Sequence, residues 1–191
     1  MYNFFAFLNR MKYIERWSLM RSVKKENIME HSQQVSVIAH ALAVIGNTYF
    51  GKNYDANKIG MVACFHETSE VITGDLPTPI KYFNPEIKTA YKDLEKIATV
   101  RLLDMLPTEM KSVYDELILT PTEEEHAIMK YADKLSAYIK CIEELKMGNG
   151  EFKKAGDTIK AELEKSPSME VKFFLDNFID GFNLTLDEID K

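Results

Sequence analysis

Apolar residues in this chain recur at intervals of three and four, and in no stretch do they alternate strictly with polar ones. That period lines them along one side of successive helices and leaves no two-faced strand from which to build a sheet. The fold class it dictates is all-α. With 191 residues to arrange, one compact domain with a sizeable core is the expected size.

Phe4, Leu8 and Met11, with Phe7 and Ile14 beside them, mark a first helix that Arg16-Trp17-Ser18 ends. A second runs from about Met29 to Ile45 with Val35, Ile38, Leu42 and Ile45 inward, and Gly46-Asn47 is its expected stop. A third starts after Asp55, a good N-cap, and carries Ile59, Val62, Ala63 and Val71 towards Gly74. Between Gly74 and Lys81, Pro77 and Pro79 flank Thr78 and predict an extended or turn backbone. A fourth helix is expected over Pro85–Met105. A fifth is expected from Thr122, where Glu125 completes a capping box, to the turn Gly148-Asn149-Gly150. Two more follow, Glu151 to Lys165 and Met169 to Phe182, and the chain after Asn183 is expected to fray. The architecture this predicts is a single helical bundle of about seven helices spanning the whole chain.

The formal charge of -6 argues against a nucleic-acid polymer as partner, because such affinity comes from neutralising phosphates. A small phosphorylated ligand needs only a local positive site and stays allowed. No run approaches the ~18 apolar residues of a membrane span, and Met1–Leu8 lacks the basic start of a secretion signal. Cys64 and Cys141 show no CxxC spacing, so neither a zinc ribbon nor a disulfide framework is indicated. The expected setting is reduced and cytoplasmic.

Three polar interruptions of apolar helices carry the chemistry. His66 and Glu67 follow Val62-Ala63-Cys64-Phe65, and on a regular helix Glu70 would share the His66 face, with Glu67 rotated by about 100°. His31 opens the second helix, and Asp133 lies among Tyr131, Leu135, Tyr138 and Ile139. Groups so costly to bury need partners, and a metal ion is an efficient one. Two imidazoles and two carboxylates without a thiolate suit one divalent cation such as Mn, Fe, Co, Zn or Mg. Taken one at a time, His31 could be a cap and Asp133 a structural acceptor; Arg16 and Lys81 could be solvated, Trp17 a core anchor and Asp75 an Asx-turn residue. His40, Cys64 and His126 read as structural.

The order His31, then His66-Glu67 after 35 residues, then Asp133 after a further 66, resembles the H…HD…D signature of HD-domain phosphohydrolases. The likeness is closer to the bacterial 5'-deoxynucleotidases of that superfamily. They share an aromatic first helix followed by Arg16-Trp17, the run from Glu26 to Val35, the block from Thr73 to Lys81, and Tyr138 to Leu145. The resemblance implies hydrolysis of deoxyribonucleoside 5'-monophosphates to deoxynucleoside and phosphate, by a homodimer. It implies that His31, His66, Glu67 and Asp133 hold the metal, that Arg16 orients the phosphate, and that Trp17 crowds the sugar against a 2'-hydroxyl. Thr78 and Lys81 would contact the nucleotide, with Pro79 and Ile80 lining the same pocket. Glu70 and Asp75 would handle the attacking water and the leaving oxygen.

The sequence departs from the family doublet at one place: Glu67 stands where that signature has aspartate. Its extra methylene moves the carboxylate by roughly 1.5 Å. Two other readings keep the same residues in different roles. One is hydrolysis of another nucleotide phosphoester or phosphoanhydride, such as a cyclic nucleotide or a nucleoside triphosphate. The other is a nucleotide-binding protein in which Glu67 marks weakened catalysis.

Overall fold

The structure is a computed structural model that describes residues 1–190. Its elements are α1 (Phe4–Leu8), α2 (Ile28–Tyr49), α3 (Ala56–Cys64), α4 (Glu70–Thr73), α5 (Thr78–Lys81), α6 (Pro85–Leu103), α7 (Thr108–Ile118), α8 (Glu123–Lys146), α9 (Lys153–Glu164), α10 (Met169–Asn177) and α11 (Leu186–Ile189). Three 3₁₀ turns, Asn9–Tyr13, Gly150–Phe152 and Ile179–Asn183, join some of them. Among the described residues there is no strand, only one antiparallel bridge between Glu15 and Asn27.

Long α2 and α8 form the spine, and α3, α9 and α10 pack around them. Their inward faces bury Val35, Ile38, Leu42, Ile59, Val62, Leu135, Ile139, Leu163 and Val171 in one continuous core. A second, smaller core under α1 and α6 gathers Phe4, Leu102, Leu103 and Leu106, with Tyr114 edge-on to Phe4. Sequence capping determines where the spine helices start. Asn27 accepts from the Met29 and Glu30 amides at 3.0 Å each, and Thr122 exchanges bonds with Glu125, so both helices begin with two orphan donors satisfied. Asp55 caps α3 through the Lys58 amide as its position predicts.

Several expectations need correcting. Helix α2 does not stop at Gly46 but runs on to Tyr49. Gly46 serves close approach, since a Cβ there would lie 2.5 Å from the Tyr54 ring. The helix expected from Asp55 to Gly74 breaks after Cys64 and resumes at Glu70. Gly74–Pro77 are free of helix as expected, with Pro77 extended at ψ 134°, but Thr78–Lys81 close into the short helix α5, with Pro79 in its first turn, where a missing N–H costs nothing. Helix α7 was not expected at all. The chain after Asn183 is ordered into α11 by a capping box between Thr185 and Glu188, and Lys191 lies outside the described residues.

Candidate metal centre and nucleotide cleft

The break after Cys64 shapes the site. The His66 ring donates from Nδ1 to the Ala63 carbonyl at 2.7 Å, and the Thr68 hydroxyl donates to the Phe65 carbonyl at 2.6 Å. These side chains occupy acceptors that the helix ladder needs, so the backbone tightens to three-residue turns: Thr68 N to Phe65 O, Glu70 N to Glu67 O, Ile72 N to Ser69 O. In such a turn residues three apart eclipse. Glu70 therefore stands over Glu67 rather than over His66, and the regular-helix expectation for these three side chains does not hold.

Three segments bring four candidate ligand residues together: His31 from α2, His66 and Glu67 from the tight turns, and Asp133 from α8. One potential ligand atom from each lies within 4.8 Å of all the others. His31 Nε2 is 3.1 Å from Asp133 Oδ1 and 3.9 Å from Glu67 Oε1; His66 Nε2 is 3.1 Å from Glu67 Oε1 and 4.0 Å from Asp133 Oδ1. Both imidazoles are enclosed, while the two carboxylates keep a partly open edge.

The second ring nitrogens decide which form the imidazoles take. Ser136 donates its hydroxyl to Gln34 Oε1 at 2.6 Å, so its oxygen is free to accept the Nδ1–H of His31 at 3.0 Å. The carbonyl that holds His66 Nδ1 can only accept. Both Nε2 lone pairs therefore point into the cluster, and His66 Nε2 is buried there without a hydrogen-bond partner. Burial, then Arg16, pushes the pKa of His31 down to about 4, which keeps it in the neutral form that a metal ligand needs. Burial opposes ionisation of Glu67 and Asp133 too. Positive charge on the histidine side, at His66 for Glu67 and at His31 Nε2 for Asp133, outweighs it and holds both carboxyl groups below the usual range. Burial also works against a proton on His66, yet Glu67 raises its pKa above the usual value. The pocket thus asks for positive charge between Nε2 and Oε1, and its donor set fits a divalent cation.

Glu70 is buried against this cluster. Burial first, and the Glu67 charge second, push its pKa up to about 11, and one of its oxygens has no partner. From here a cleft of about 560 Å³ opens, lined by His66, Glu67, Asp133, Glu70, Arg16, Asp75, Thr78 and Lys81 among others. Arg16 Nη1 donates to Glu26 Oε2 at 3.0 Å. Lys81 Nζ pairs with Glu95 at 2.8 Å over the Tyr91 ring. Burial, countered by Arg16, raises the pKa of Asp75, which also faces the Trp17 backbone amide. Trp17, Pro79 and Ile80 are not in the wall of the cleft: Trp17 leans on Phe152 at 5.3 Å beside Arg16, and Ile80 projects from α5 towards solvent.

The sequence reading passed over several lining residues. Lys88, Lys92 and Lys96 line the cleft from α6, with Lys130 and His126 on α8. Their spacing of four was the available signal. Lys92 and Lys96 have no ion-pair partner among the described residues, so in an acidic chain they give the cleft one basic wall. His126, read as structural, stands in that wall. Gln34 and Ser136, which orient His31, were also missed.

The sequence profile of the 5'-deoxynucleotidase YfbR-like family matches residues 3–182. The chain is 49% identical over 191 residues to a protein named 5'-deoxynucleotidase YfbR from Escherichia coli, covering 99% of this chain and 96% of that one. Its fold is similar to the crystal structure of an HD-domain phosphohydrolase from Listeria innocua. There the TM-score is 0.81 at 22% identity, over 98% of this chain and 91% of that one. It is also similar to a cyanophage S-2L HD phosphohydrolase bound to dA and one catalytic Zn2+. That match has a TM-score of 0.64 at 19% identity, over 92% of this chain and 96% of that one.

Proposed function

Since the chain belongs to the 5'-deoxynucleotidase YfbR-like family, we propose that it is a metal-dependent phosphomonoesterase that hydrolyses deoxyribonucleoside 5'-monophosphates. The observation that carries this reading is the convergence of His31, His66, Glu67 and Asp133 at the end of a cleft that also holds Arg16, Thr78 and Lys81. Those four residues would hold one divalent cation. When bound, it supplies charge that polarises a phosphoryl oxygen and makes water a better nucleophile near neutral pH.

The chain's own side chains do the remaining work. Arg16 grips the phosphate with the guanidinium donors that Glu26 leaves free, Lys81 adds a point charge, and Thr78 offers a hydroxyl. Glu70 accepts a proton from the attacking water. A cation held beside Glu67 would offset the second cause of its raised pKa and bring that pKa down towards one suited to the role. Asp75, protonated more readily than an ordinary aspartate, donates towards the departing 5'-oxygen. Trp17, outside the cleft wall, limits the space at the sugar by backing the Arg16 guanidinium at 5.9 Å, and Pro79 and Ile80 belong with Thr78 to the short helix α5 that presents its hydroxyl. The longer Glu67 is accommodated by the tight turns, which bring its Oε1 to 3.1 Å from His66 Nε2.

The test is phosphate release from deoxy- and ribonucleoside 5'-monophosphates, using chelator-stripped protein resupplied with Co, Mn, Zn or Mg. Release that requires metal and favours the deoxy series is the expected result. No release with any metal would overturn the reading and favour a nucleotide-binding protein. Faster release from cyclic nucleotides or triphosphates would move the reaction to another phosphoester or to a phosphoanhydride.

We also propose a homodimer in a cytoplasmic setting. Helix α6 turns Ile87, Leu94 and Ile97 outward, 36%, 46% and 65% exposed, with Ala90 between them. Steps of three and four residues make this a seam of the kind that paired helices share. The double substitution Leu94→Glu and Ile97→Glu is expected to halve the mass measured by light scattering; an unchanged mass would remove α6 from the interface. Cys64 and Cys141 are both free thiols, in keeping with a reduced compartment. No helix among the described residues is long and apolar enough to cross a membrane.

A further inference from the structure

Two of the residues proposed to handle substrate, Arg16 and Trp17, are adjacent in sequence and project different functional groups: a cation for the phosphate and an aromatic plane for the sugar. Both converge on the same acceptor. Arg16 Nη1 donates to Glu26 Oε2 at 3.0 Å, and Trp17 Nε1 donates to the same oxygen at 3.1 Å. We infer that Glu26 is the positioning residue for both groups, tying the phosphate grip to the sugar fence through one carboxylate oxygen. This inference rests on the roles proposed above for Arg16 and Trp17.

Three further observations separate this contact from an ordinary surface ion pair. Arg16 and Glu26 are both largely enclosed, each with a side chain 14% exposed, so water does little to screen or replace the bond. The backbone repeats the tie: the Arg16 amide donates to the Glu26 carbonyl at 2.9 Å, next to the Glu15–Asn27 bridge. Trp17 has φ of +60°, the sole non-glycine residue with positive φ among those described. A bulky residue holds that conformation only when its surroundings over-determine it. The indole bond to Glu26, the Phe152 ring at 5.3 Å and the turn that closes from Met20 N to Trp17 O at 2.8 Å supply that determination.

The place of Glu26 in the chain gives the tie its reference point. Asn27 follows directly and caps α2, and His31 projects from the first turns of the same helix into the metal cluster. Arg16 and Trp17 are therefore positioned from the helix start that also positions a metal ligand. Phosphate, sugar and metal centre share one origin, and Glu26 connects the first two to it.

The experiment compares Glu26→Ala, Glu26→Gln and Trp17→Ala with the parent as metal-loaded enzymes. It reads KM and kcat on a deoxy and a ribo monophosphate, metal content and, in the parent and the two Glu26 variants, acrylamide quenching of the single tryptophan, Trp17. Losing a hydrogen bond to a charged group is expected to raise KM about tenfold in Glu26→Ala. The deoxy preference should fall towards that of Trp17→Ala, and Trp17 should become more quenchable, with metal content unchanged. Glu26→Gln keeps a carbonyl for the indole but loses the charge that holds Arg16. It should raise KM while retaining most of the deoxy preference, and its near-identical shape guards against a folding defect. Parent-like KM, preference and quenching in Glu26→Ala would overturn the inference, and so would loss of bound metal in both Glu26 variants. If Trp17→Ala leaves the preference unchanged while Glu26→Ala still raises KM and frees the indole, the role proposed for Trp17 fails and the positioning role of Glu26 stands.

Discussion

Asp133→Asn is expected to strip the protein of its divalent cation and to lower phosphate release about a thousandfold or more. Asp133 is the one residue of α8 in the candidate metal cluster, and its Oδ1 lies within 4.0 Å of both histidine Nε2 atoms. Asparagine preserves the shape but removes the charge, leaving a single ionised carboxylate, Glu67, to offset a dication. Elemental analysis of the purified variant, alongside a phosphate-release assay, checks both halves of the expectation. Full metal content in Asp133→Asn would mean that the cation is held elsewhere.

Glu144→Ala is expected to destabilise the fold by about 3–5 kcal/mol, the cost of breaking a buried charge pair from one side. Glu144 is fully buried near the C-terminal end of α8. It accepts from the Val23 and Lys24 amides at 2.8 and 3.1 Å and from Asn149 Nδ2 at 2.8 Å, and it pairs with Lys140. Removing it leaves the Lys140 ammonium enclosed with only the Lys24 carbonyl as a close partner. Denaturant melts give the size of the loss; a change under 1 kcal/mol would show that the cluster is not a stabilising anchor.

The same carboxyl sets a pH dependence. Burial alone would raise its pKa, but Lys140 and the donated amides outweigh burial and hold it at about 2. A folded-state pKa below the unfolded value of roughly 4.3 contributes stability that is complete above that value. The contribution is lost as the pH falls towards 2. The parent should therefore lose stability in that interval more steeply than Glu144→Ala, which lacks the group.

The residues of the candidate metal cluster stood out in the sequence because they form three polar interruptions of apolar helices, and groups so placed are hard to bury without a shared partner. Helix α8 was legible end to end, from the Thr122 capping box to the Gly148 turn. The break after Cys64 was not. No glycine or proline marks it, and its cause is two side chains, His66 and Thr68, taking carbonyls from the ladder. Helix α7 was missed although Met110, Tyr114 and Leu117 carry helical spacing, because it follows a proline and buries no residue fully. Glu26 and Ser136 escaped notice for another reason. What they do depends on contacts between residues 10 and 105 positions apart, which local periodicity does not encode.

His31 and Asp133 stand 102 positions apart, yet neither completes the proposed metal site without the other. A chain emerging from the ribosome therefore exposes two histidines and a glutamate long before it can enclose an ion with them. Flexible ligands of that kind take up metals in order of intrinsic affinity, with copper and zinc ahead of manganese or iron. The finished core instead offers a cavity of set dimensions, closed on the imidazole side. On the proposed reading, the choice of ion would fall to the folded protein and to whatever ion the cell holds available when folding is complete.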